Sequence, residues 1–163
     1  MIKLLDSFSI KSLYESIDLV ISDKATRVDI RIVDSSTGFV EQYLGWADVF
    51  NALPADIKSK FHVHFLGRAN FADLLCAITL PVDNFHVSEY SFVDLSKYVP
   101  SISGTTEEAE RATTHTAAIR EEIYSRLSNA SDLDEDELIE MCERGVTLNK
   151  EEMINYGFYG DIE

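Results

Sequence analysis

The stretch Arg27-Val-Asp-Ile-Arg-Ile-Val-Asp34, followed by Ser35-Ser-Thr-Gly38, decides how this chain folds. Polar and apolar residues alternate from Arg27 to Ile32, with β-branched residues at 28, 30 and 32 on one face, which predicts a β-strand over 27–34. The polar, glycine-containing cluster that follows predicts a turn. From Phe39 to Leu53 the apolar residues recur at helical spacing, which predicts an amphipathic helix. Strand, turn and helix in this order indicate an α/β architecture.

Strands and helices are also predicted to alternate before and after this stretch. The pattern predicts a short strand from about Ile2, a helix over 10–21, a strand over 61–66, a helix over 69–80, and one or two short strands within 85–95, with a turn that starts at Gly67. Repeated strand–helix units favour parallel strands joined by helical crossovers. We therefore expect an α/β core of two short facing sheets over about residues 1–100.

The last third of the chain has a different pattern. Thr105 with Glu108 forms a capping box that opens a helix to about Leu127. The helix has a narrow stripe of small or sparse apolar residues: Ala109, Ala112, Ile119, Ile123 and Leu127. A stripe this narrow is typical of a helix that projects and packs on another subunit. We expect such an interface to strengthen with ionic strength, because the copies repel each other.

Two further helices are expected after this one. Ser131 with Asp134 is a candidate cap for the first, and Asn149 with Glu152 for the second, which Gly157 would end. The whole chain is expected to form one domain over 1–163, with its core in about 1–100 and a helical part in about 105–157.

Charge excludes two classes of partner. The 163 residues carry a formal net charge of −15, and such a surface repels nucleic-acid backbones and anionic lipid. Cys76 and Cys142 both lie in apolar helical patterns, which suits a reducing compartment. No apolar run approaches the roughly 20 residues of a membrane span, so we expect a cytoplasmic protein that binds neither membrane nor nucleic acid.

Candidates for catalysis and metal binding are few. His62 and His64 alternate on a predicted strand and face the same side, a spacing that can hold zinc or copper. Neither a cysteine nor a carboxylate cluster accompanies them, so they are interpreted as strand histidines, and we expect no metal and no cofactor. His86 and His115 have no local partner in the sequence.

Three segments, taken in order, resemble a known family. The stretch Val28-Asp-Ile-Arg-Ile-Val-Asp-Ser-Ser-Thr-Gly38 is similar to a strand ending in Asn-Ser-Pro-Gly-Gly, and Val63-His-Phe-Leu-Gly-Arg-Ala-Asn-Phe-Ala72 to a Gly-Gln-Ala-Ala-Ser-Met segment. The stretch 148–161, with its Tyr-Gly pair and following Asp161, is similar to Leu-Ser-Ala-Glu-Glu-Ala-x-x-Tyr-Gly-Leu-Ile-Asp. These are motifs of the proteolytic subunit of the Clp protease, within the Clp/crotonase superfamily.

The resemblance implies a ββα spiral core with a projecting helical handle, formed here by the helix from Thr105 to Leu127. It also implies a Ser-His-Asp triad, whose three positions fall on Phe71, Leu95 and Met141. None of these side chains can relay a proton, so the triad is degenerate. Of the paired glycines in the family's oxyanion turn, Gly38 remains.

The resemblance therefore implies a catalytically inactive Clp-protease-like subunit that serves as a structural or regulatory oligomer. It would form rings of its own or assemble with active Clp-type subunits. One alternative is an active serine peptidase with Ser35 or Ser36 as nucleophile, Asp34 as orienting group, and His62, His64 or His86 as base. The other is a crotonase-like acyl-binding protein in which Gly38 and the turn after Leu66 present oxyanion donors.

Overall fold

The computed structural model describes residues 1–35, 40–96 and 105–159. Its centre is the strand that the alternating sequence predicts, β2 (Arg27–Asp34), which lies beside β3 (Phe61–Asn70). Val28, Ile30 and Ile32 of β2 are buried, whereas the residues between them point to the other face of the sheet. The predicted strand is confirmed with the same bounds.

One sheet of six strands organises the chain. The remaining strands are β1 (Ile2–Leu5), β4 (Phe85–Val87), β5 (Phe92–Leu95) and β6 (Val146–Asn149). The order is β1-β2-β3-β5-β6, and β4 pairs with the first half of β3 while β5 pairs with its end. All pairs are parallel except β5 with β6. The α/β architecture is confirmed as a mixed sheet with helices, but the expectation of two facing sheets is wrong for the part of the chain that is described.

Seven α-helices accompany the sheet within the described ranges. They are α1 (Ile10–Ile21), α2 (Val40–Asn51), α3 (Ala55–Lys58), α4 (Phe71–Ala77), α5 (Thr106–Asn129), α6 (Glu135–Arg144) and α7 (Lys150–Asn155), with a 3-10 turn over Val82–Asn84. The capping boxes at Thr105 and Asn149 are confirmed, and Gly157 has the left-handed backbone of a helix end, with φ of +77°.

Two local predictions are wrong. The N-cap of α6 is Asp134, whose side chain accepts from Glu137 N, whereas Ser131 Oγ donates to the Leu127 carbonyl.

No turn starts at Gly67, because β3 continues through it to Asn70. At Gly67 the neighbouring strand bulges and brings the Val33 carbonyl against the position that a Cβ would occupy. Glycine is needed there for this close approach and not for a turn.

A single hydrophobic cluster extends from Leu5 to Tyr159 and lies between the sheet and the helices. Its centre is aromatic: Trp46 stacks on Phe50 at 4.8 Å between ring centroids, and Phe50 meets Phe61 edge to face at 5.3 Å. The last third of the chain contributes β6 to the sheet and Leu138, among others, to the core. This third is therefore part of the same packed unit. None of the helices described is long and apolar enough to cross a membrane.

Candidate functional site

One face of the sheet is open to solvent. In parallel register the paired residues share a face, and those opposite the core are Leu4, Asp29 and His62 in one row and Arg31, His64 and His86 in the next. Apolar residues surround them, and five of these are exposed: Ile2, Leu4, Val33, Leu66 and Phe92. We call this surface the open face. A largely parallel sheet is normally covered on both faces, so this surface is unusual for the architecture.

A buried carboxylate lies at the centre of the open face. Arg27 Nε donates to Asp29 Oδ1 at 2.6 Å, and His64 Nε2 lies 3.2 Å from the same oxygen. Asp29 is only 5% exposed, because the longer side chains of its neighbours cover it. Burial acts to raise the pKa of this carboxyl, but the hydrogen bonds with Arg27 and His64 outweigh that effect and hold it below its usual value.

Three imidazoles stack beside this carboxylate. The His62 and His86 rings lie 5.7 Å apart and within 4° of parallel, and the His64 and His86 rings lie 4.7 Å apart. His62 Nδ1 is 3.4 Å from His86 Nε2. Burial and then Arg27 lower the pKa of His62, and burial and then His64 lower that of His86. Both rings are therefore neutral at pH 7 and gain charge on acidification.

The chemistry available to this cluster is recognition of negative charge. The imidazoles stack on one another, and within the described ranges no group of three or more histidine, cysteine or carboxylate side chains is arranged to hold a metal ion. At neutral pH the cluster carries the charges of Arg27, Arg31 and Asp29, a net of +1 on a chain of −15. The open face is thus a locally cationic surface with an apolar border.

The three positions to which the resemblance assigns a triad lie in or against the hydrophobic core. Phe71 opens α4 and is 2% exposed, Leu95 ends β5 and is fully buried, and Met141 of α6 packs against the same cluster from a half-buried position. The sheet brings the three elements close to one another. The helix α4 follows the end of β3, and β5 pairs with that end of β3. On its other side β5 pairs with β6, the strand that directly follows α6 in the chain. The structure thus places apolar side chains at all three positions.

The described residues do not form the alternative triad, in which Ser35 or Ser36 would be the nucleophile and a strand histidine the base. Ser35 Oγ accepts a hydrogen bond from Asn70 Nδ2 at 2.8 Å and makes none with His62, His64 or His86. It lies after the end of β2, whereas the histidines lie beside Asp29 and Arg31, four to six residues or roughly 13–20 Å back along the strand. Asp34 is exposed, and Ser36 lies outside the described residues.

A second polar group lies next to Ser35, at the start of α4. Asn70 caps this helix by accepting from Ala72 N and Asp73 N, while Asp73 Oδ2 accepts from Asn70 N at 3.0 Å. Burial raises the pKa of the Asp73 carboxyl. The Asp73 carboxyl also hydrogen-bonds the Ser35 side chain, so the group ties the end of β2 to the start of α4 and contains no histidine. Gly38, the proposed remnant of the oxyanion turn, lies outside the described residues, and the other proposed donor turn, after Leu66, is an uninterrupted strand.

The proposed interface stripe on α5 requires a correction. Ile119, Ile123 and Leu127 are at most 6% exposed and belong to this chain's own core. Only Ala109 and Ala112 are half-buried at the surface, on the part of the helix that precedes its packed half. The expectation that these five residues form one intersubunit stripe is therefore wrong for its three large members. The salt dependence expected for that interface loses its basis.

The sequence contained a signal for the open face that its interpretation did not use. Strict alternation in 27–32 and 61–65 indicates a strand buried on one side only, whereas a parallel strand buried on both sides is continuously apolar. The pairing of His86 with His64 had no such signal, because it depends on the register of two strands separated in sequence. Neither a family model nor a curated protein matches this chain.

Proposed function

We propose that this protein is a non-catalytic, Clp-protease-like subunit whose role is to assemble into a larger oligomer. The observation that carries the proposal is the open face: a mostly parallel sheet that helices cover on one side and that exposes apolar side chains on the other. Exposed apolar residues grouped on one surface mark an interaction site in soluble proteins. A partner that covered this face would give the sheet the second layer it lacks.

The resemblance to the Clp family supports this proposal through particular elements. The strand and helix around 27–51 and the segment from β6 through α7 to Gly157 have the order that the family motifs require. The single sheet departs from the two facing sheets expected of that fold. We accordingly propose, beyond the α/β architecture, both the specific Clp/crotonase fold and assembly with active Clp-type subunits.

The absence of catalysis rests on the side chains at the triad positions. A serine peptidase needs a nucleophile whose proton passes to a histidine within hydrogen-bond reach. Phe71 and Leu95 are apolar, and Ser35 hydrogen-bonds to Asn70 and to the Asp73 carboxyl but to no histidine. The described residues therefore lack the serine–histidine pair that this mechanism needs.

Two measurements on the full chain test the proposal. Native mass spectrometry should detect oligomers at micromolar concentration, and a fluorophosphonate probe should label no serine under conditions in which an active serine peptidase is labelled completely. A chain that stays monomeric would contradict the assembly role. Labelling of Ser35 or Ser36 would instead favour the relocated triad.

A further inference from the structure

We propose that the open face binds the acidic α6 helix of a second copy of this chain, and that the contact tightens on mild acidification. The inference rests on the proposed assembly role and adds the partner surface, its orientation and its control by protons. A helix packed on a bare sheet face is the ordinary layer arrangement of α/β proteins.

Charge complementarity selects the partner surface. The open face carries Arg27, Arg31 and three imidazoles around Asp29, whereas α6 has five acids and one base and exposes carboxylates along one stripe at positions 136, 140 and 143. This i, i+4, i+7 spacing places Asp136, Glu140 and Glu143 on the same side of the helix. Glu140 also pairs with Arg144 at 3.4 Å within the helix, which keeps a net charge of −4. Residues 105–163 hold 16 acids and 5 bases, a net of −11, so most of the chain's negative charge lies in this part of the sequence.

The dimensions of the two surfaces also agree. Arg27 and Arg31 are four residues apart on β2, which is roughly 13 Å in a strand. Asp136 and Glu143 are seven residues apart on α6, which is roughly 10 Å in a helix. One helix laid along the strand can therefore bring carboxylates near both arginines. Val33 and Leu66, exposed beside them, supply apolar area for the same contact.

Pairing of two open faces is the competing arrangement between copies, and charge disfavours it. It would place the arginines and imidazoles of one copy against the same groups of the other, and like charges brought together across an interface repel each other. The sheet-to-helix contact is heterologous, since each copy uses a different surface on each side. Repeated heterologous contacts generate a ring when the rotation closes.

The stacked imidazoles are the groups that make the contact depend on pH. The charged or titratable groups around His62 and His86 are Arg27, Asp29 and Arg31 on β2, and His64 on β3. Protonation of His62 and His86 would raise the charge of the cluster by two, opposite an α6 helix whose net charge is −4. Acidification from pH 7.5 to 5.5 therefore increases the attraction between the two surfaces.

A charge exchange between variants tests the arrangement. Arg31→Glu leaves a negative open face against a negative α6. The double variant Asp136→Arg, Glu140→Arg leaves the α6 stripe with a net charge of +1 against a positive open face. Each of these two variants alone should therefore bind itself at least tenfold more weakly. When the two are mixed, one contact is the wild-type pair and the other is its exchanged form. A 1:1 mixture should therefore reassemble. Arg111→Glu, the same change at an exposed position of α5, should leave assembly unchanged.

Sedimentation velocity of the wild type, the three variants and the mixture, with circular dichroism to verify folding, separates the outcomes. A monomeric wild type would overturn the proposed assembly role itself. A wild type that assembles, together with open-face and α6 variants that each assemble equally well alone or a mixture that stays dissociated, would overturn only the sheet-to-helix contact. Wild-type assembly should also tighten roughly threefold to tenfold from pH 7.5 to 5.5, and weaker or unchanged association would overturn the proton control.

Discussion

Nε2 of His64 lies 3.2 Å from Oδ1 of Asp29, the same oxygen that accepts the hydrogen bond from Arg27 Nε. One carboxylate oxygen thus holds two cationic or titratable side chains on neighbouring strands of the open face. This shared contact explains why a negative residue lies in a surface that is otherwise cationic. It also makes Asp29 the position from which the cluster can be perturbed most directly.

The first prediction concerns this carboxylate. Asp29→Asn should lower the free energy of unfolding by about 1–3 kcal/mol, because Arg27 and His64 lose their charged partner in a poorly hydrated position. Since the pKa of Asp29 is lowered in the folded chain, its contribution is complete above about pH 4 and is lost as the pH falls through the folded pKa. Urea unfolding from pH 7 to 3 measures both effects.

The exposed residue Asp83 offers the matched control, Asp83→Asn, which should change stability by less than about 0.5 kcal/mol. An Asp29→Asn chain as stable as the wild type at pH 7 would show that the contact with Arg27 contributes nothing net.

The second prediction concerns the imidazoles in the unassembled chain. The folded pKa values of His62 and His86 lie below the unfolded value of about 6.5, so their contribution to stability is present above that pH and is lost as the pH falls through the folded values. Thermal unfolding at a concentration below assembly should therefore show a Tm that falls from pH 7.5 to 5.5. The double variant His62→Gln, His86→Gln should flatten this slope.

His115→Gln serves as control because this histidine is exposed, near Glu41 and away from the sheet. A slope that persists in the double variant at its full size would place the titrating groups elsewhere in the chain.

The third prediction concerns the degenerate nucleophile position. Phe71→Ser should produce no peptidase activity and no fluorophosphonate labelling, because no described histidine lies near the new hydroxyl. The change should also cost about 3–5 kcal/mol of stability, as expected for truncation of a buried phenylalanine. Labelling of a folded Phe71→Ser chain at this serine would reveal a base that the geometry does not identify.

The fourth prediction follows from the corrected interpretation of α5. Ile119→Asp should unfold the subunit, because Ile119 is 6% exposed within its own chain and an unpaired buried charge is strongly destabilising. Ala117→Asp, at an exposed position of the same helix, should remain folded. Circular dichroism distinguishes the outcomes, and an Ile119→Asp chain that stays folded but dissociates would restore the intersubunit stripe.

The elements with strong local signals could be predicted from the sequence, and those set by long-range pairing could not. The alternation from Arg27 and the capping box at Thr105 each depend on neighbouring residues, so the bounds of β2 and the start of α5 agree with the structure. Burial of Ile119 and Leu127 depends on helices packed from elsewhere, and a sparse apolar stripe does not distinguish a partner's surface from the chain's own core.

The candidate site shows the same division. His62 and His64 on one face of a strand could be predicted from their spacing, whereas the contacts with Asp29 and His86 required the register of β2, β3 and β4. Gly67 illustrates the opposite error, since glycine after an apolar run was interpreted as a turn although it allows the close approach of the Val33 carbonyl within a strand.

The most direct test of the account is sedimentation velocity of Val33→Asp beside Val82→Asp. Both valines are exposed, at 62% and 55%, but Val33 lies on the open face and Val82 in the 3-10 turn on the helical side of the sheet. If assembly proceeds through the open face, the wild type and Val82→Asp sediment as oligomers, while Val33→Asp sediments as a folded monomer. Equal oligomerisation of both variants would contradict the claim that the open face holds the assembly together.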